Sequence, residues 1–132
     1  MVTCHSPERL FAAWADPASW PSWDPDVLWV RFEGPAVVGA RGTVKSTSGP
    51  PLRFVVSEVD SDRVFTNTGT LPGARLVFEH RVSPTQAGSE AVVTIALTGS
   101  LAWLWKRVMG GELRGAAASS LGGLVAHLDE TS

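Results

Sequence analysis

The chain has 132 residues, a length that holds one domain and hardly a second. Hydrophobic residues make up 44% and charged residues only 18%, which supplies a globular core and excludes intrinsic disorder. Eleven basic residues against thirteen acidic ones give a net charge of -2, which argues against a nucleic-acid partner, and the single cysteine, Cys4, excludes an internal disulfide. With no N-terminal signal pattern and no long apolar run, a soluble cytoplasmic protein is the expectation. Six tryptophans and no tyrosine point to a large core, a ligand cavity or an interface.

Residues 1 to 5 alternate weakly and read as a clipped first strand. Ser6 then caps a helix over 7 to 14, with Pro7 at its first position, Glu8 in its first turn, and Leu10, Phe11 and Trp14 on its inner face. The same start signal recurs at Asp16-Pro17, and Pro21 stops that second short helix after about one turn. From Val27 onward, runs rich in Val, Phe, Trp and Thr alternate with turn clusters, predicting strands at 27–33, 41–47, 52–59, 63–68, 74–83 and 90–98. Short links and no intervening helices favour an antiparallel meander. In 74–82, Leu76, Phe78, His80 and Val82 share the covered face, while Arg75, Glu79 and Arg81 share the wet one.

Residues 100–129 keep a helical period through Leu101, Leu104, Trp105, Val108, Leu113, Ala117, Leu121, Leu124, Val125 and Leu128. A long C-terminal helix is predicted, with a kink near Gly110. From Gly115 to Ser120 every residue is Gly, Ala or Ser, so either the helix lies close to the sheet there or a hollow is left.

Ser6-Pro7-Glu8, Leu10-Phe11, Asp16-Pro17, Trp20-Pro21-Ser22-Trp23-Asp24-Pro25, Phe32-Glu33-Gly34, Val38-Gly39 with Gly42, Phe54 with Val56 and Glu58, Phe78-Glu79-His80, and Gly99 before the last helix together carry a likeness across nearly the whole chain. It resembles the START-like (SRPBCC) superfamily, in particular small bacterial proteins of the polyketide cyclase/dehydrase type. The resemblance implies an α+β helix-grip fold: a curved antiparallel sheet of six to seven strands wrapped around the long C-terminal helix, with two short helices after the clipped first strand. It also implies an apolar cavity between sheet and helix, and no single catalytic motif.

Candidate site residues follow from faces. Phe54, Val56, Leu76 and Phe78 are expected to face the helix, with Ala117 and Leu121 opposite them. His80 shares that face, either as a general acid or base or ligand anchor, or as a core histidine held by a backbone carbonyl or a carboxylate. Arg31, on the face of Val27 and Trp29, is placed to anchor an anionic head group or simply to lie in solvent, and Glu58 has the parity of Phe54 and Val56. Trp20, Trp23 and Trp29 suit a cavity mouth or a minicore stapling the short helices to the sheet. Trp103, on the polar side of the last helix with Lys106 and Arg107, is compatible with a membrane-surface or homodimer contact.

No metal or other cofactor is expected, since His5, His80 and His127 lack metal-ligand spacing and no phosphate-cradling Gly-rich loop or nucleophile elbow is present. The first functional expectation is binding of a small apolar molecule, by resemblance a polyketide, an isoprenoid or quinone, or a lipid. The second is a cyclase/dehydratase using His80, and the third an interaction protein of the chaperone-activator kind.

Overall fold

The computed structural model describes residues 1–131. Its first helix, α1 (Pro7–Trp14), begins as the sequence predicts: the Ser6 hydroxyl accepts a hydrogen bond from the Arg9 backbone N–H at 3.3 Å, and Leu10, Phe11 and Trp14 are buried. A 3-10 turn (Pro17–Ser19) runs directly into α2 (Trp20–Trp23). Each tryptophan of α2 finds a partner for its indole N–H, Trp20 on the Trp14 carbonyl at 3.1 Å and Trp23 on the Ser19 hydroxyl at 3.2 Å. These contacts hold the two short helices together as one unit.

Seven strands follow the chain: β1 (Val2–Thr3), β2 (Val27–Phe32), β3 (Arg41–Ser46), β4 (Leu52–Asp60), β5 (Val64–Leu71), β6 (Ala74–Thr85) and β7 (Gly88–Thr98). They form one antiparallel sheet in the order β1-β7-β6-β5-β4-β3-β2, so every link from β2 to β7 joins neighbours and only the first strand crosses to the far edge. Register fixes the faces. Phe54, Gly69 and Leu76 lie in one row across neighbouring strands, Val56, Asn67 and Phe78 in the next, and Phe65, His80 and Val93 in another, which makes one apolar inner face. The expected alternation in 74–82 holds, with Leu76, His80 and Val82 buried and Arg75 and Arg81 exposed.

The long helix α3 (Ala102–Glu130) runs without a break through Gly110 and Gly111. Its start is tied to the β5–β6 turn by the Trp105 indole N–H, which donates to the Pro72 carbonyl at 2.9 Å, and by the Leu101 N–H on the Gly73 carbonyl at 2.9 Å. Its far half packs tightly: Ser120, Leu121, Leu124 and Leu128 are buried against α1, α2 and the sheet. Close approach to α2 depends on Gly123, where a Cβ would overlap the Trp23 carbonyl and the Pro25 ring. The closest packing therefore falls at Gly123, beyond the small-residue stretch from Gly115 to Ser120.

The inner stripe of α3 also differs from the expected one. Leu104 and Val108 are 39% and 66% exposed, and the half-buried residues are Trp105, Met109, Leu113, Ala116 and Ala117. The reason is geometric: only the second half of the helix meets α1 and α2, so a full apolar period in the first half exceeds what the sheet alone covers.

Candidate functional site

The inner face of the sheet is apolar and contains two buried polar side chains in its middle, His80 and Asn67. His80 on β6 is 7% exposed and sits among Trp14 and Phe65, its ring 5.2 Å from the first and 6.3 Å from the second. Its Nδ1–H donates to the Phe65 carbonyl at 2.8 Å; because a carbonyl only accepts, this bond places the ring hydrogen on Nδ1 and leaves Nε2 as an acceptor. Burial disfavours the charged ring and lowers its pKa to about 4, outweighing the opposing pull of the Phe65 carbonyl and the Glu79 charge. At neutral pH the group is an uncharged imidazole held by the backbone.

Asn67 is 4% exposed and faces Val56 and Phe78 across its two neighbouring strands. Its Oδ1 has no partner, and neither has the indole N–H of Trp14, which is also buried. A buried polar atom without a partner costs roughly 1–3 kcal/mol, so an unpaired acceptor and donor on one face are a feature to account for. Asn67 is the inner-face residue that sequence reading passed over. The available signal was its parity with Phe65 inside the predicted strand at 63–68.

The sequence-selected residues divide into two groups. Phe54, Val56, Leu76 and His80 are buried on the inner face, with Phe78 half-buried among them and Leu121 and Ala117 on the side of α3 that faces the sheet. Trp29, Arg31 and Glu58 lie on the outer face instead. A β-bulge between Val27 and Trp29 breaks the shared parity of those two positions, so Val27 packs on the core while Trp29 pairs with Lys45 and Arg31 with Thr43. A second bulge between Val56 and Glu58 turns Glu58 outward, where Thr66 Oγ1 donates to its carboxylate at 3.3 Å. Trp23 is 6% exposed and belongs to a tryptophan minicore in which Trp20 lies 5.4 Å from Phe54, itself stacked on Phe32 at 6.0 Å. Trp103 is 59% exposed.

One other cluster has ligand character. Cys4, His5 and Asp129 bring a thiol, an imidazole and a carboxylate within 4.8 Å of one another. Arg9 Nη1 donates to His5 Nδ1 at 3.0 Å, so the imidazole hydrogen is on Nε2, which donates to Asp129 Oδ1 at 2.6 Å. Both ring nitrogens are thereby engaged, and binding a cation at Nε2 would turn an N–H at Nδ1 toward the Arg9 guanidinium. The arrangement does not suit a metal; it ties the chain before α1 to the end of α3. Arg9 extends the tie by donating to the Leu128 carbonyl at 3.4 Å.

Comparison with solved structures places this architecture among known ones. A protein of Mesorhizobium loti superposes with a TM-score of 0.75 at 22% identity, covering 100% of this chain and 95% of that one. A protein of Rhodobacter sphaeroides gives 0.74 at 16% identity over 100% and 90% of the two chains, and one of Thermus thermophilus gives 0.74 at 16% over 97% and 92%. At these identities the likeness is one of fold, the helix-grip arrangement of a curved sheet about a long C-terminal helix. No curated protein sequence matches the chain. No helix among the described residues is long and apolar enough to cross a membrane. The sequence profile of one family, described as polyketide cyclase / dehydrase and lipid transport, matches residues 4–129, and with that coverage and this fold the chain belongs to that family.

Proposed function

We propose that the protein binds a small, uncharged, largely apolar molecule in the cleft between the inner face of the sheet and the first half of α3. The observation that carries this reading is an uneven burial of one continuous apolar surface. Phe78, Val93 and Ile95 on the sheet, and Met109, Leu113 and Ala117 on the helix, remain partly exposed, although adjacent positions such as Phe65 and Val56 are at 0%. An apolar surface open to water in this way favours an apolar occupant by roughly 25 cal/mol for each Å² covered.

The inner positions of the four central strands carry no charged side chain, so a carboxylate or phosphate buried there would lose hydration without a counter-charge. An uncharged ligand with a carbonyl or hydroxyl fits better. The Asn67 amide and the Nε2 acceptor of His80 are the groups available to orient it. Family membership supports a polyketide, an isoprenoid or quinone, or a lipid as the class. Proton transfer by His80 receives no support from its surroundings, since an imidazole with a pKa near 4 is a weak base at neutral pH.

Titration with N-phenyl-1-naphthylamine, a neutral dye that brightens in apolar sites, tests the reading. Saturable enhancement is expected for the natural chain and its loss for Ala117→Phe, with far-UV circular dichroism unchanged. His80→Gln should leave dye binding intact and weaken a hydroxyl-bearing ligand, whose O–H would donate to Nε2, by the ~0.5–1.5 kcal/mol of one hydrogen bond. Dye binding that survives Ala117→Phe would move the site elsewhere and overturn the proposal.

A further inference from the structure

The outer face of the sheet, opposite the cleft, holds an open trough of about 810 Å³ whose walls carry four arginines, Arg31, Arg41, Arg53 and Arg75, and one carboxylate, Glu33. Register places these side chains close together. Arg31 and Arg53 flank Thr43 on the two strands either side of it, about 10 Å apart by strand spacing, and Arg41 lies two residues from Thr43 on the same strand, about 7 Å away. Arg75 stands beside Thr70 at the far end.

None of the four makes an ion pair with a described residue. Arg31 is instead held over the Trp29 ring at 5.0 Å, a contact that orients the guanidinium without neutralising it. Like charges set this close on a sheet repel, so the arrangement costs stability unless an anion joins it. A second depression, of about 440 Å³, shows the contrast: it balances Arg63 and Arg81 with Asp60 and Glu90. In a chain of net charge -2, the trough concentrates a local excess of three positive charges.

We propose that this trough binds a soluble small molecule carrying two or more phosphate groups, independently of the apolar cleft. Guanidinium forks take phosphate oxygens in pairs, and the hydroxyls of Thr43 and Thr70, which also line the trough, add donors. The volume lies within the range of small-molecule sites. Single-stranded nucleic acid fits less well, because the rings of Phe32 and Phe54 belong to the inner face and Trp29 is already covered by Arg31, leaving no stacking platform. A bilayer fits less well too, since none of the exposed large apolar side chains lines the trough.

Isothermal titration of the full chain with inorganic pyrophosphate and with ATP, at low salt, tests this. Saturable 1:1 binding is expected, weakened tenfold or more by Arg53→Gln and abolished by the double change Arg41→Gln with Arg53→Gln. Arg63→Gln and Arg107→Gln, which remove a positive charge outside the trough, should leave it unchanged. Absence of saturable binding to both probes overturns the proposal, and so does equal weakening by Arg63→Gln, which would reduce the effect to net charge. Binding only to phosphatidylserine vesicles, or only to a single-stranded oligonucleotide, also overturns it and reassigns the face. Dye binding in the cleft is unaffected by any of these outcomes, so the two proposals fail separately.

Discussion

The parts of α3 before and after Ser120 have nearly the same apolar fraction and very different surroundings. From Ser120 to Leu128 the helix is wedged between α2, α1 and the sheet, and four of its side chains are buried. From Leu101 to Ser119 none is, although Leu104, Trp105, Val108 and Leu113 offer as much hydrophobic surface. Helical periodicity reports which side of a helix is apolar; it does not report what stands opposite. Here α1 and α2 stand opposite one part only, and the other part keeps its apolar side chains partly exposed.

The largest expected consequence is in stability. Leu124→Ala, at 0% exposure, should cost about 2–5 kcal/mol in urea unfolding, whereas Leu104→Ala should change stability by no more than about 0.5 kcal/mol. Equal costs would erase the distinction between the halves.

Acid should act next most strongly, through the buried histidine of the inner face. His80 has a folded pKa near 4 against 6.5 for the free side chain, so between these values the unfolded chain binds more protons than the folded one. The neutral, buried state of His80 is fully favourable above about pH 6.5, and stability falls as pH drops toward 4, by about 3 kcal/mol at 1.36 kcal/mol per pKa unit. Asp24 works in the opposite direction: burial raises its pKa, so protonation of the folded carboxyl offsets part of the loss at the low end. Unfolding followed across pH 4–7 in the natural chain and in His80→Gln checks the sign, with a flatter profile expected for the variant.

Glycine substitutions sharpen the comparison within the helix itself. Gly123→Ala should destabilise by about 1–3 kcal/mol because its Cβ meets the Trp23 carbonyl. At Gly115 a Cβ meets nothing, and Gly115→Ala should stabilise by about 1 kcal/mol through helix propensity alone. Thermal melts of the two variants should therefore move in opposite directions.

The smallest effect expected is also a gain. Asn67→Leu removes an unpaired buried amide oxygen and should raise stability by about 1 kcal/mol while weakening any ligand that bonds to that amide. A loss of stability would mean that the amide is satisfied within the fold.

Much of the architecture was legible because its signals are local. Ser6-Pro7-Glu8 specifies a helix start through a cap, a fixed φ and a dipole-matched charge, and α1 occupies the expected residues 7–14. Alternation in 74–82 assigned both faces of β6 correctly because a strand without a bulge keeps a period of two. The same rule misplaced Glu58 and grouped Val27 with Trp29 and Arg31, which a bulge separates, since one extra residue in a strand reverses every face beyond it. Such a bulge is set by pairing with a neighbouring strand and leaves no mark in the strand's own composition.

By itself, the sequence determined the order of elements, the apolar side of β6, and the presence of a histidine among buried residues. Tertiary structure alone decided that this histidine is held by the Phe65 carbonyl, that the Asn67 Oδ1 lies unpaired on the strand beside Phe78, and that the first part of α3 is only partly covered. It alone gathered four arginines from four strands into one trough. Local propensity acts over a few residues of chain, whereas partners, cavities and fields arise where segments distant in sequence meet in space.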